Sequence, residues 1–206
     1  MNGGAVLAFW GVSALFVITP GADWAYAITA GIHRRVPSAV AGLLTGHLVA
    51  TLIVAAGVGA VVMSIPGALT VLTVAGSLYL IWLGVGALRH PATVHAATDP
   101  ASGSAARWWL KGFGVSALNP KVFLLFLAVL PPFTDPAAPW PLAAQIAMLG
   151  LIHVASCAIV YLAVGYSAHA LLRTRPAAAR IVSKISGIAM IAIGVFLFAE
   201  RMLHLT

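Results

Sequence analysis

Residues 114–133 read GVSALNPKVFLLFLAVLPPF, and residues 11–24 read GVSALFVITPGADW. Both are apolar runs, and both carry a proline with an ionisable side chain close by. Pro20 and Pro120 each remove a backbone N–H and kink a helix, while Gly21 permits backbone conformations closed to other residues. In hydrocarbon, a broken helix persists only where protein buries it or where it lines a cavity. Asp23 and Lys121 stand beside the two breaks, and a charge at the bilayer centre costs about 2.5–3.5 kcal/mol on insertion scales. A shared pentapeptide followed by a break and a charge predicts a duplicated unit with a polar site near mid-membrane.

The remainder of the chain agrees. Of 206 residues, 62% are hydrophobic and 7% charged, with a mean hydropathy of +1.05. A soluble domain carries roughly 25% charged residues, so the composition specifies an all-α integral membrane protein. A span needs about 20 apolar residues, and six runs qualify: 4–31, 38–62, 67–88, 109–131, 142–171 and 183–203. A transmembrane barrel would need short alternating strands, which the sequence lacks. The spacing of Gly42, Gly46 and Ala50 favours close helix packing. No basic region precedes the first run, which therefore reads as a retained span.

Charge placement orients these spans. Of the 11 Lys and Arg residues, Arg34 and Arg35 fall in the first connection. Arg89, Arg107 and Lys111 lie around the central one, and Arg173, Arg175, Arg180 and Lys184 before the last run. Basic loops stay cytoplasmic, which puts both termini outside the inner membrane. The net charge of +7 is accounted for by these topological clusters, so no nucleic-acid partner is expected. Residues 91–108, rich in small and polar side chains, read as a cytoplasmic linker between a three-helix repeat at 1–90 and another at 109–206. Three is odd, so the second repeat must enter the bilayer in the opposite sense. Inverted repeats with broken first and fourth helices are a recurring transporter architecture.

Two histidines lie deep in spans. His47 stands in GLLTGHLVA in the second run, and His153 in GLIHVASC in the fifth, its counterpart in the other half. Histidine titrates near neutral pH, so both are candidates for proton coupling, His47 the stronger. His153 lies nearer the outside, where a hydrogen bond between helices also accounts for it. Cys157 is the single cysteine, which excludes an intrachain disulfide and a multi-cysteine metal site. Two histidines without a third ligand make at most a weak metal site, and no metal or cofactor is expected.

These segments carry a resemblance. TPGAD at 19–23, GLLTGHLVA at 42–50, AGSLYLIWLGVGALR at 75–89, NPKVFLLFLAVLPPFTDP at 119–136 and SKISGIAMIAIGVFLF at 183–198 are similar in order and spacing to the lysine exporter (LysE) superfamily. Within it they resemble the homoserine/threonine-resistance (RhtB) branch of amino-acid efflux proteins. The resemblance covers residues 4–203 and implies six-span secondary transporters exporting amino acids or related metabolites on the proton gradient. The chain departs from the family pattern twice. It has Pro20-Gly21-Ala22 where Pro-Gly-Pro is usual, and His47 where many members carry an acidic residue. With Asp23 as the intramembrane acid, a lysine or arginine exporter is disfavoured.

The expected substrate is a small neutral zwitterion. Asp23 suits its ammonium; Lys121, Asn119 and backbone N–H groups freed around Pro20, Gly21 and Pro120 suit its carboxylate. Trp24, Tyr26, Tyr79 or Phe126 are candidates for the apolar remainder. The alternative is a channel or non-transporting membrane scaffold. A membrane enzyme is disfavoured, because no multi-histidine metal motif, cysteine pair or nucleophile–base pair is present. The expected partners are the lipid bilayer, protons and the amino-acid substrate, and a homo-oligomer is compatible with all of this.

Overall fold

The computed structural model describes residues 1, 3–65, 67–89, 104–168 and 176–203. Among them all regular structure is helical: α1 (Gly3–Ile18), α2 (Ala22–Ile32), α3 (Val36–Ser64), α4 (Ala68–Arg89), α5 (Ala105–Ala117), α6 (Pro120–Val129), α7 (Leu142–Tyr166) and α8 (Pro176–Leu203), with a 3-10 turn at Pro131–Phe133. The linker expected at 91–108 lies largely outside the described residues. Large apolar side chains such as Leu52, Trp82, Ile159 and Phe196 face outward, as on helices whose solvent is lipid. Val36–Gly57 and Leu142–Tyr166 are each long and apolar enough to cross a membrane, and α1 with α2 makes a third span if the bent pair is counted as one. The last helix begins at Pro176, earlier than its hydrophobic run. Proline is well placed in a first helical turn, and the alanines at 177–179 that follow are the strongest helix formers.

α1 and α2 meet at an angle of 57°. Pro20 has no N–H to give the Phe16 carbonyl, which instead accepts from the Thr19 N–H at 3.3 Å. The Val17 carbonyl accepts from the Trp24 indole at 2.8 Å. Buried backbone groups at the break are thereby paired. α5 closes with the Leu118 N–H on Gly114 O and the Asn119 N–H on Ser116 O, both 3.1 Å, and α6 starts on Pro120, where a missing N–H costs no helical bond. α2 turns into α3 through Arg34 in the left-handed region, φ 56°, with the Arg35 N–H on Ala30 O at 2.8 Å.

α3 packs chiefly on α5 and α7, and α4 on α8. The first contact is as close as backbones allow: a Cβ at Gly42 would stand 2.1 Å from the Trp109 carbonyl oxygen, and one at Gly46 2.6 Å from Ser116 Cβ. Two apolar clusters result. One gathers Phe9, Phe16, Ala50, Val54, Phe126 and Leu149; the other gathers Val17, Ile28, Val40, Leu43, Tyr161 and Val164. α3 runs from the second cluster to the first, and α7 from the first to the second, so the two are antiparallel. His47 and His153 fall where each helix passes between clusters.

Candidate functional site

A cavity of ≈ 30 Å³ lies at that crossing, walled by Phe16, Val17, Trp24, Val122 and Leu125 and by the polar residues Thr19, Asp23, His47, Asn119, His153 and Tyr161, with Gly21 at its edge. That volume suits about two water molecules. Asp23 sits in the first turn of α2, where the helix macrodipole favours negative charge. It is 7% exposed. Its Oδ2 accepts from the Tyr161 hydroxyl at 3.0 Å and lies 3.6 Å from His47 Nε2. Its buried Oδ1 has no hydrogen-bond partner among the described residues.

The histidine beside it is fixed from behind. His47 Nδ1 lies 3.0 Å from the Leu43 carbonyl oxygen and 2.5 Å from Ser116 Oγ. The carbonyl only accepts and the serine hydroxyl can do either, so both tautomers of the ring fit this grip, which leaves Nε2 as the ring atom facing the carboxylate, at 3.6 Å.

His153 is held in the corresponding way. Its Nδ1 lies 2.8 Å from Ser13 Oγ and its Nε2 3.4 Å from Cys157 Sγ. The two imidazoles lie with centroids 5.4 Å apart, and Phe126 sets its ring edge-on to both, at 6.4 Å from His47 and 5.2 Å from His153. Ser13 and Ser116 are the third residues of the two GVSAL copies.

The pattern of a family described as LysE type translocator matches residues 14–201. The chain belongs to the LysE family. A membrane protein of Vibrio cholerae is 31% identical over 166 residues, 79% of this chain and 78% of its own length. Homoserine/homoserine lactone efflux proteins of Salmonella typhi and Salmonella typhimurium are each 29% identical over 130 residues, 62% of this chain and 63% of the relative, so the match spans less than two thirds of those two. No solved structure matches the chain significantly. As a LysE family member this is a membrane translocator and not an enzyme.

Of the residues expected from sequence, the LysE fold brings Gly21, Asp23, His47, Asn119 and His153 to the one cavity, with Pro20 buried beside it. Pro120 and Lys121 lie in the first turn of α6, and their side chains lie outside the described residues. Trp24 lines the cavity. Tyr26 does not: its hydroxyl donates to the Trp108 carbonyl at 2.6 Å. Tyr79 stacks on Trp82 with centroids 5.7 Å apart, also away from the cavity. Tyr161, Cys157, Ser13 and Ser116 were not anticipated. The available signal was the spacing of His153, Cys157 and Tyr161, which at i, i+4 and i+8 share one helix face.

Proposed function

We propose that this LysE family member is a secondary transporter exporting small neutral amino acids or related metabolites across the cytoplasmic membrane, with protons as the countertransported ion. One observation carries the reading: the buried carboxylate of Asp23, at a helix break and against the cavity, keeps an unpartnered oxygen. An ammonium group supplies what that oxygen lacks. A carboxylate is suited by the part of the cavity where Asn119 precedes the N-terminus of α6 and oriented N–H groups favour an anion; Lys121 in that first turn adds its charge. The walls of Phe16, Val17, Trp24, Val122 and Leu125 suit a short apolar side chain. His47 and His153 are the groups proposed to handle protons, and the efflux relatives support the direction of transport.

The architecture we infer is six spans in two inverted repeats, 1–90 and 109–206, with α1–α2 and α5–α6 as the broken first and fourth spans. Exchange of the halves supports it. Exchange maps α1 onto α5 and α2 onto α6, so the packing of α3 on α5 corresponds to that of α7 on α1, α3 on α6 corresponds to α7 on α2, and α3–α7 and α4–α8 map onto themselves. The two serine–histidine bonds also exchange, Ser116–His47 for Ser13–His153. With basic loops in the cytoplasm, both termini lie outside. Cysteines placed at Ser102 and Ala137 in a Cys157→Ala background should then label from opposite faces, and labelling of both from outside in intact cells excludes this topology.

Counterflow in proteoliposomes, run with a panel of neutral amino acids and with an imposed pH gradient, tests the function. A carrier gives saturable counterflow for at least one zwitterion and uphill movement driven by the gradient. Flux without saturation marks a channel, and absence of flux for every compound marks a scaffold.

A further inference from the structure

The chain's single cysteine and its two deep histidines converge on one point, with Asp23 beside His47. One donor atom from each of His47, His153 and Cys157, all three buried, lies within 4.8 Å of the others. Asp23 Oδ2 stands 3.6 Å from His47 Nε2, and Cys157 Sγ stands 3.4 Å from His153 Nε2. Bonds of about 2.0 Å to nitrogen and about 2.3 Å to sulfur place neighbouring donors of a tetrahedral ion roughly 3.3–3.6 Å apart. Two edges of such a tetrahedron are thus already at length, and the pairs meet through the His47, His153 and Cys157 donors; Asp23 stands outside that group and would join it by closing in from beside His47.

The supporting contacts fit as well. Histidine ligands characteristically hold their second ring nitrogen on an oxygen, which fixes the tautomer and the ring plane. Here His47 Nδ1 is held by the Leu43 carbonyl and Ser116, and His153 Nδ1 by Ser13. Each Nε2 is thereby directed at the cluster. The unpartnered Asp23 Oδ1 leaves the carboxylate with an uncompensated oxygen that a cation satisfies. Charge also balances: a dication bound by one thiolate and one carboxylate is neutral, the condition under which a buried ionic group is tolerated. Mixed sulfur, imidazole and carboxylate donors suit a borderline-soft first-row ion and not magnesium or calcium.

We infer that His47, His153, Cys157 and Asp23 form a tetrahedral site for a divalent first-row transition-metal ion of the zinc type. On binding, Cys157 gives its thiol proton to the medium as the sulfur–metal bond forms. The bound ion ties α2, α3 and α7 together and occupies the carboxylate proposed for the substrate ammonium, so it blocks export. That blockade rests on the transport reading; the binding itself does not.

The test is titration of the purified full-length protein in detergent with Co2+ alone, followed by displacement with Zn2+. One equivalent of Co2+ should produce a thiolate-to-cobalt charge-transfer band and tetrahedral d–d bands, both abolished by one equivalent of Zn2+. Cys157→Ser should lose the charge-transfer band, and His153→Gln should weaken Co2+ binding at least tenfold, each while eluting as a monodisperse species. His33→Gln, on the exposed α2–α3 connection, should change neither. Co2+ binding without a thiolate band, a band that survives in Cys157→Ser, or no binding to the folded wild-type chain each overturns the site. Because none of these readouts involves transport, a failed counterflow assay and a failed metal titration are separate results.

Discussion

His47 and His153, one in each of the two proposed repeats, are gripped alike, each by the serine of the other repeat's GVSAL sequence. Their remaining surroundings diverge. Ten residues after Ser13 stands Asp23; ten after Ser116 stands Phe126, whose ring packs edge-on to both imidazoles. Four residues after His47 is Thr51, whose hydroxyl is turned back to the His47 carbonyl at 2.8 Å. Four after His153 is Cys157, whose sulfur faces the ring at 3.4 Å. The two proposed repeats share this grip, then, but one supplies the charge and the other an aromatic wall and a thiol. A site with one anionic side accepts its ligand in one orientation only, and strict symmetry would have placed two carboxylates together at great cost.

The largest effect expected from this asymmetry is at Asp23. Asp23→Asn should lower export by roughly 30-fold or more, the scale for losing one partner of a buried charge contact, with the protein still present in the membrane fraction. Lys121→Met should do the same. Near-normal counterflow in either variant removes that residue from the site. Next come the histidines. His47→Gln should reduce export by about tenfold, because it loses the contact with Asp23 as well as a hydrogen bond. His153→Gln should reduce it by only about fivefold, the cost of one hydrogen bond. Equal losses in initial-rate counterflow would mean that Asp23 does not distinguish the halves. The smallest effect concerns the serines. Ser13→Ala and Ser116→Ala should each destabilise the folded protein by about 1 kcal/mol, seen as matching downward shifts in thermal unfolding in detergent. A shift in one and not the other breaks the equivalence of the two grips.

The sequence made the helices legible because runs of apolar residues have a required length in lipid; α3 and α4 run 36–64 and 68–89, against expectations of 38–62 and 67–88. Asp23, Asn119, His47 and His153 were legible because a polar side chain inside such a run needs a partner or a cavity. Cys157, Tyr161 and the serines were not. Ser, Thr and Tyr are unremarkable in apolar helices, since a carbonyl one turn back satisfies a hydroxyl, as at Thr29 and Thr45. Whether Ser116 bonds such a carbonyl or a histidine 69 residues away depends on how closely α3 approaches α5, which Gly42 and Gly46 decide. Tyr26 was misassigned for the related reason that the rotation of α2 beyond its break, which turns this hydroxyl to Trp108, has no signature in residue spacing.

The cavity of ≈ 30 Å³ has a consequence for the cycle. An amino acid cannot occupy it without parting the walls of Phe16, Trp24, Val122 and Leu125. In the carrier proposed above the closed form then acts as a latch, which cargo opens only by displacing the Tyr161 hydroxyl from Asp23 and spreading these side chains.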